Sequence, residues 1–202
     1  MSAQLPKDVH PDSLSRLPLV SREELDAQGK RVYDALLDPK ARTIAGLQGP
    51  GGIWLHSPKS AQAQQDLNRL VRYENGFGDR ITELAILTTA RETDQQFEWT
   101  VHEPVALKAG LEPEIIDLIK YRKATDGLPD KERVIVDFIR QLLREKKVAS
   151  ALYAAAQQAL GRTGLVTLVG LVGVYVMTGI ALNAVDQQLR PGTTPLLPLD
   201  KG

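Results

Sequence analysis

Glu98 and His102 stand four residues apart in the run FEWTVHEP, inside a segment whose other residues have the character of a buried helix. Side chains at that spacing share one helical face, with Cβ atoms about 6 Å apart. Glu83 belongs to the preceding helix, and a turn at Glu92–Asp94 folds that helix back to bring the three side chains together. A carboxylate beside an imidazole in an apolar setting moves protons, because imidazole titrates near neutrality, or it holds a metal ion. Two carboxylates in one buried place share like charge, so one of them keeps its proton and can donate it. Nothing else in the chain offers comparable chemistry.

The elements that must position these groups come from a chain of 202 residues, enough for one domain or a pair of duplicated halves. Cysteine is absent, which excludes disulfides, thiolate ligands and every thiol nucleophile or redox mechanism. Lysine plus arginine and aspartate plus glutamate both number 25, and no basic tract interleaves with aromatics. Nucleic acid is therefore not an expected partner. The opening MSAQLPKDVHPDSLSRLPLV lacks the charged-then-apolar pattern of a signal peptide, so the expected compartment is the cytoplasm. A metal site would need Glu98 and His102 with Glu83 or His56; with three histidines in the chain, no metal is expected.

The uncharged run from Gly164 to Val185 is long enough to span a bilayer. It also holds four glycines, two threonines and Asn183, with no aromatic belt or basic flank. A central helix wrapped by other helices is apolar all round too, and that is the expectation here: no membrane span.

The order of elements is helical throughout. Residues 1–20 are a Pro-rich arm, 21–189 a single helical domain, and 190–202 an extended tail with three prolines. Ser21 with Glu24 forms a capping-box pattern opening a helix to about Leu37. Residues 40–56 contain Gly49-Pro50-Gly51-Gly52 and predict a structured loop that covers a site. Ser57-Pro58 starts a helix to about Tyr73. Asp79 and Asp94 are the expected caps of the next two, and Pro104 bends the second just after His102. A short helix follows Pro113. The paired apolar residues between Val134 and Leu143 mark a longer one. Ser150 opens another, and Gly161 separates it from the final apolar helix. That makes about eight helices, with a weak internal repeat of 57–103 in 130–188.

ELAILTTAR at 83–91 followed by FEWTVHEPVALKAGL at 97–111 resembles the carboxymuconolactone decarboxylase family, a relative of the alkylhydroperoxidase D-like proteins. The likeness extends, less specifically, to WLHSP at 54–58 and to the stretch around 165–183. The peroxidase branch carries a CxxCxxxH motif after a glutamate. Here its cysteine positions hold Gln95 and Glu98, its histidine is His102 and its glutamate Glu83. With both thiols gone, thiol-dependent peroxide reduction is chemically impossible. The resemblance implies a helical homo-oligomer, a trimer or hexamer with a dimer as the alternative, and no organic cofactor. It also implies a carboxy-lyase acting on a small-molecule substrate.

On that reading Glu83, Glu98 and His102 are catalytic. Arg91, His56, Trp54, Tyr175 and Asn183 are candidates for substrate binding, Arg91 by holding a substrate carboxylate. Each has a structural alternative. Glu98 and His102 could be an ordinary surface pair, His56 could cap the helix at Pro58, and Tyr175 and Asn183 could be satisfied core polar groups. Trp99 is expected in the core or at a subunit interface, with Glu103 pointing away from the His102 face. The functional alternative is a non-catalytic homo-oligomeric protein that binds a small acid or a protein partner.

Overall fold

The computed structural model describes residues 5–40 and 43–199; the first four residues of the arm, two residues of the Gly-rich loop (41 and 42) and the last three of the tail lie outside them. Among the described residues there are eight α-helices and no strand. They are α1 (Ala27–Leu37), α2 (Pro50–Trp54), α3 (Pro58–Tyr73), α4 (Asp79–Glu92), α5 (Gln96–Lys108), α6 (Pro113–Lys120), α7 (Asp130–Glu145) and α8 (Ser150–Ala184). Two compact units share them: Met1–Leu67 with Thr178–Thr194, and Asn68–Met177 with Pro195–Gly202.

The second unit is built around α4, which packs on α5, α6 and α7. Residues 82–90 are buried without interruption, so this helix has no solvent face over two turns. Its threonines meet that demand by bonding back along the helix. The hydroxyls of Thr82, Thr88 and Thr89 donate to the carbonyls of Gly78, Leu84 and Ala85 at 2.7–2.8 Å. Trp99 of α5 is fully buried; its indole N–H donates to Glu103, which also takes Lys120 Nζ at 3.0 Å. That pairing turns Glu103 away from His102, as the spacing predicts. The tail is anchored by Leu197, buried in the same core.

Glu92, at the C-terminal end of α4, is an electrostatic hub whose side chain is nearly inaccessible. Arg144 clamps it with two nitrogens, and the Nε atoms of Arg122 and Arg140 each lie 3.7 Å from Oε1. Two of these guanidiniums also satisfy carbonyls at helix ends. Arg122 donates to Arg91 O at 2.8 Å, and Arg140 to Leu118 O at 3.3 Å. Glu92→Ala leaves the largely buried Arg140 without its counter-charge. Such a loss costs about 3 kcal/mol, and the part-exposed Arg122 and Arg144 reduce that to about 2 kcal/mol. Urea unfolding of the variant against the parent reads the difference.

The first unit gathers Leu25, Val32, Leu36, Leu55 and Ala61 into a small core. The N-terminal arm folds onto this unit, with Val9 and Leu14 buried and Arg16 N donating to Val185 O at 2.8 Å.

Several local expectations need correction. Ser21 and Glu24 make only a 3-10 turn, Arg22–Glu24, in which the Ser21 hydroxyl bonds Glu23. The helix begins at Ala27 because Asp26 caps it, accepting from Gly29 N at 2.7 Å. The Gly-rich loop contains a short helix, α2. Its glycines serve close approach: a Cβ on Gly52 would collide with the Leu47 carbonyl. Gly78 and Gln95, not Asp79 and Asp94, occupy the N-cap positions of α4 and α5, and Asp94 adopts a left-handed φ of 50° in the connecting turn. Within α8, Gly161 (φ 68°, ψ 173°) breaks the helical geometry where a break is predicted. By length and composition α8 could cross a membrane; half of its most apolar window is buried inside the protein.

Candidate acid–base site

Four helical segments of the second unit deliver one polar cluster. Arg72 comes from the last turn of α3, Glu83 from the second turn of α4, Glu98 and His102 from one face of α5, and Tyr175 from α8. Gly170 lets α3 and α8 come close: a Cβ there would lie 3.2 Å from the Val71 side chain, one residue before Arg72. The turn after Glu92 reverses the chain so that α5 returns along α4, with Gln95 N donating to Ala90 O at 2.8 Å.

His102 is at the centre. Its Nδ1 is 2.7 Å from Glu83 Oε2, its Nε2 is 3.3 Å from the Tyr175 hydroxyl and 3.5 Å from Glu98 Oε2. The Tyr175 ring stands edge-on to the imidazole, with centroids 5.2 Å apart. Arg72 Nη2 donates to the other oxygen of Glu83 at 3.3 Å, and its guanidinium lies over the Tyr73 ring. Glu83, Glu98 and His102 are each 3–4 % exposed, which removes the solvated-pair alternative.

Burial acts differently on the two carboxyls. For Glu83 it works against the charge, but the hydrogen bond with His102 and the Arg72 cation outweigh it and hold the group below the usual carboxylate range. For Glu98 burial wins: the carboxyl is pushed up despite His102 and Arg72, with Glu83 adding to the rise. Burial also pushes the Tyr175 phenol well up, against Arg72 and reinforced by Glu98 and Glu83. Arg72 keeps its charge in spite of burial because the Glu83 carboxylate lies beside it.

The chemical consequence is directional. With Glu83 held below the usual carboxylate range, an Nδ1–H on His102 would donate to it and leave the Nε2 lone pair facing the Tyr175 hydroxyl and Glu98, the carboxyl that burial pushes up. A buried carboxylate that fixes a histidine tautomer is the logic of the hydrolase triads. The cluster can therefore hold a proton on Glu98, pass it through Nε2, and offer a phenolic O–H to a developing negative charge. Among the described residues, no three histidine, aspartate or glutamate side chains are arranged to hold a metal ion.

The remaining predicted site residues are placed elsewhere. Arg91 is on α4, but about 12 Å along the helix from Glu83 at 1.5 Å per residue. There it pairs with Asp94 at 2.9 Å and reaches the Pro198 carbonyl. Trp54, His56 and Asn183 belong to the first unit. Trp54 packs against the small core, His56 Nε2 bonds the Pro18 carbonyl at 3.0 Å, and Asn183 is exposed. Arg72 was not among the predicted residues. Its signal was present, because Arg72 stands four residues before Gly76 and Glu83 five after Gly78, close to the reversal on either side.

No protein-family model matches the chain, and no curated protein matches it. A solved structure does: the alkylhydroperoxidase AhpD core of an uncharacterized peroxidase-related protein from Ralstonia eutropha JMP134. The two share 14% sequence identity at a TM-score of 0.69, over 89% of this chain and 93% of that one. At that identity the likeness concerns architecture, and the architecture is unambiguous: this chain has the alkylhydroperoxidase D-like helical fold.

Proposed function

We propose that the cluster is the acid–base site of a cofactor-free enzyme that decarboxylates or isomerises a small carboxylated lactone or a related unsaturated acid. One observation carries the reading: a buried imidazole bonded through Nδ1 to Glu83 turns Nε2 toward Glu98, a second buried carboxyl whose proton affinity burial raises. Decarboxylation breaks a C–C bond, and the electron pair moves into the adjoining unsaturated carbonyl as a dienolate. Carbon then needs a proton. Glu98 supplies it through His102 Nε2 and recovers one from solvent, while Tyr175 donates a hydrogen bond to the transient oxyanion. Peroxide reduction through a thiol is unavailable to a chain without cysteine.

The test is turnover of carboxymuconolactone and a few related lactones by the purified protein, followed by ultraviolet absorbance and CO2 release. Conversion with stoichiometric CO2 supports the decarboxylase reading. Conversion without CO2 selects isomerisation, and no conversion of any of them removes the lactone class. The enclosure of the cluster favours a second reading, a non-catalytic protein of the same fold that uses the polar cluster to bind a small acid. Calorimetric binding of the same lactones without turnover would select it.

We further infer self-association, as a homotrimer or homohexamer, through the outer face of α8. Val166 is 71% exposed and Val169 44%, an apolar face that a monomer would leave in water. Light scattering should give a multiple of the 22.2 kDa chain mass, reduced to one chain by Val166→Arg. A monomeric parent protein would sink the inference.

A further inference from the structure

Arg72 has a role in the cluster that neither the motif nor the likeness to other folds assigns. Its side chain is 10% exposed, about as enclosed as the carboxylates it serves, and it reaches Glu83 Oε1 while His102 takes Oε2. One guanidinium and one imidazole thus divide the two oxygens of one carboxylate. The Arg72 Nε has no partner and is shielded from solvent. A buried donor left unsatisfied is a cost that surface arginines avoid. The residue is held here by its contact with Glu83 and by stacking over Tyr73.

We propose that Arg72 is the positioning residue of the site: its guanidinium holds Glu83 as a carboxylate against His102 Nδ1 and thereby keeps Nε2 bare toward Glu98 and Tyr175. The proposal rests on the acid–base reading for its meaning in catalysis, but the geometry stands by itself. Without the cation, Glu83 faces a second buried carboxyl across a single imidazole. Its proton affinity then rises, and a protonated Glu83 no longer dictates where the imidazole proton sits. Glu98 is affected in the same sense. The groups around it are His102 from its own helix, Arg72 from α3, Glu83 from α4 and Tyr175 from α8, and Arg72 is the fixed positive charge among them.

The experiment is a carboxyl titration of the full chain labelled at the glutamate side-chain carboxyl carbon, in the parent, Arg72→Gln and Arg72→Lys. Glu83 and Glu98 are assigned with their glutamine variants. In Arg72→Gln both midpoints should rise by about one pH unit or more, a change of about tenfold in proton affinity. Arg72→Lys, which keeps the charge, should restore most of the shift. Unchanged midpoints in Arg72→Gln would overturn the proposal, whatever happens to turnover. An absence of turnover in the parent, by contrast, would touch only the catalytic reading. Should Arg72→Gln not fold, the pair is read from its other side. Arg72 guanidinium protons in Glu83→Gln should exchange with solvent about tenfold faster than in the parent, in line with loss of a charge-assisted bond, and equal exchange would overturn the assignment.

Discussion

Glutamine in place of His102 should lower kcat by about 100-fold or more while leaving the fold intact. The side chain sits on α5 with Glu83 on one side and Glu98 and Tyr175 on the other. A glutamine amide is close in size and can still donate to Glu83, so the electrostatic partner of that carboxylate is preserved in part. What it lacks is a nitrogen that accepts a proton and returns it. The loss should fall on kcat, with KM little changed, because the interaction removed belongs to the transition state. Steady-state kinetics on whichever lactone the parent converts, with circular dichroism to confirm the helical content, separates this from a folding defect. Near-parental rates would remove His102 from the chemistry.

The second large effect is a pair of stability changes of opposite sign. Glu98 has its proton affinity raised by burial, so the folded protein retains a proton that the unfolded chain has lost. Stability then falls as pH rises above the unfolded carboxylate value, until the folded group also ionises. Glu98→Gln removes that dependence. The variant should match the parent in acid and become more stable than it toward neutral pH and above, while losing about 100-fold in turnover as a missing acid. Glu83 runs the other way. Its proton affinity is lowered, against burial, by His102 and Arg72. The stability it contributes is present above the unfolded value and lost as pH falls through the folded one. Glu83→Gln should therefore be less stable than the parent at neutral pH and converge with it in acid. Each unit of displacement is worth about 1.4 kcal/mol. Urea unfolding of the three proteins across the acidic to neutral range reads both signs at once. Two curves moving in the same direction would mean that the carboxyls do not have the divided roles assigned to them.

The legible part of this molecule was the part governed by periodicity and by turns. The α7 stripe, the break at Gly161 and the proximity of Glu83, Glu98 and His102 all follow from spacings on a helix or across a reversal. Caps were harder, because Ser21, Asp26, Asp79 and Asp94 are all plausible N-caps and only the folded chain selects among them. Helix α2 was misjudged because glycine has two uses. At Gly52 the close Leu47 carbonyl, a tertiary fact, demands the missing side chain. Arg91 and Arg72 show the same limit in the site itself. Both are arginines near the end of a helix, and the sequence favoured the one inside the recognisable motif. Arg72 is the one at the cluster, because α3 and α4 meet across a Gly-rich turn that leaves the pair opposite one another.

The central claim is that His102 carries its proton on Nδ1 and presents Nε2 as the acceptor of the site. Nitrogen-15 spectra of the protein labelled at histidine test it directly, with three histidines to resolve and His102 identified by its absence in His102→Gln. The expected result is a proton on Nδ1 in slow exchange with solvent and none on Nε2. A proton resident on Nε2, with Nδ1 bare toward Glu83, would contradict it.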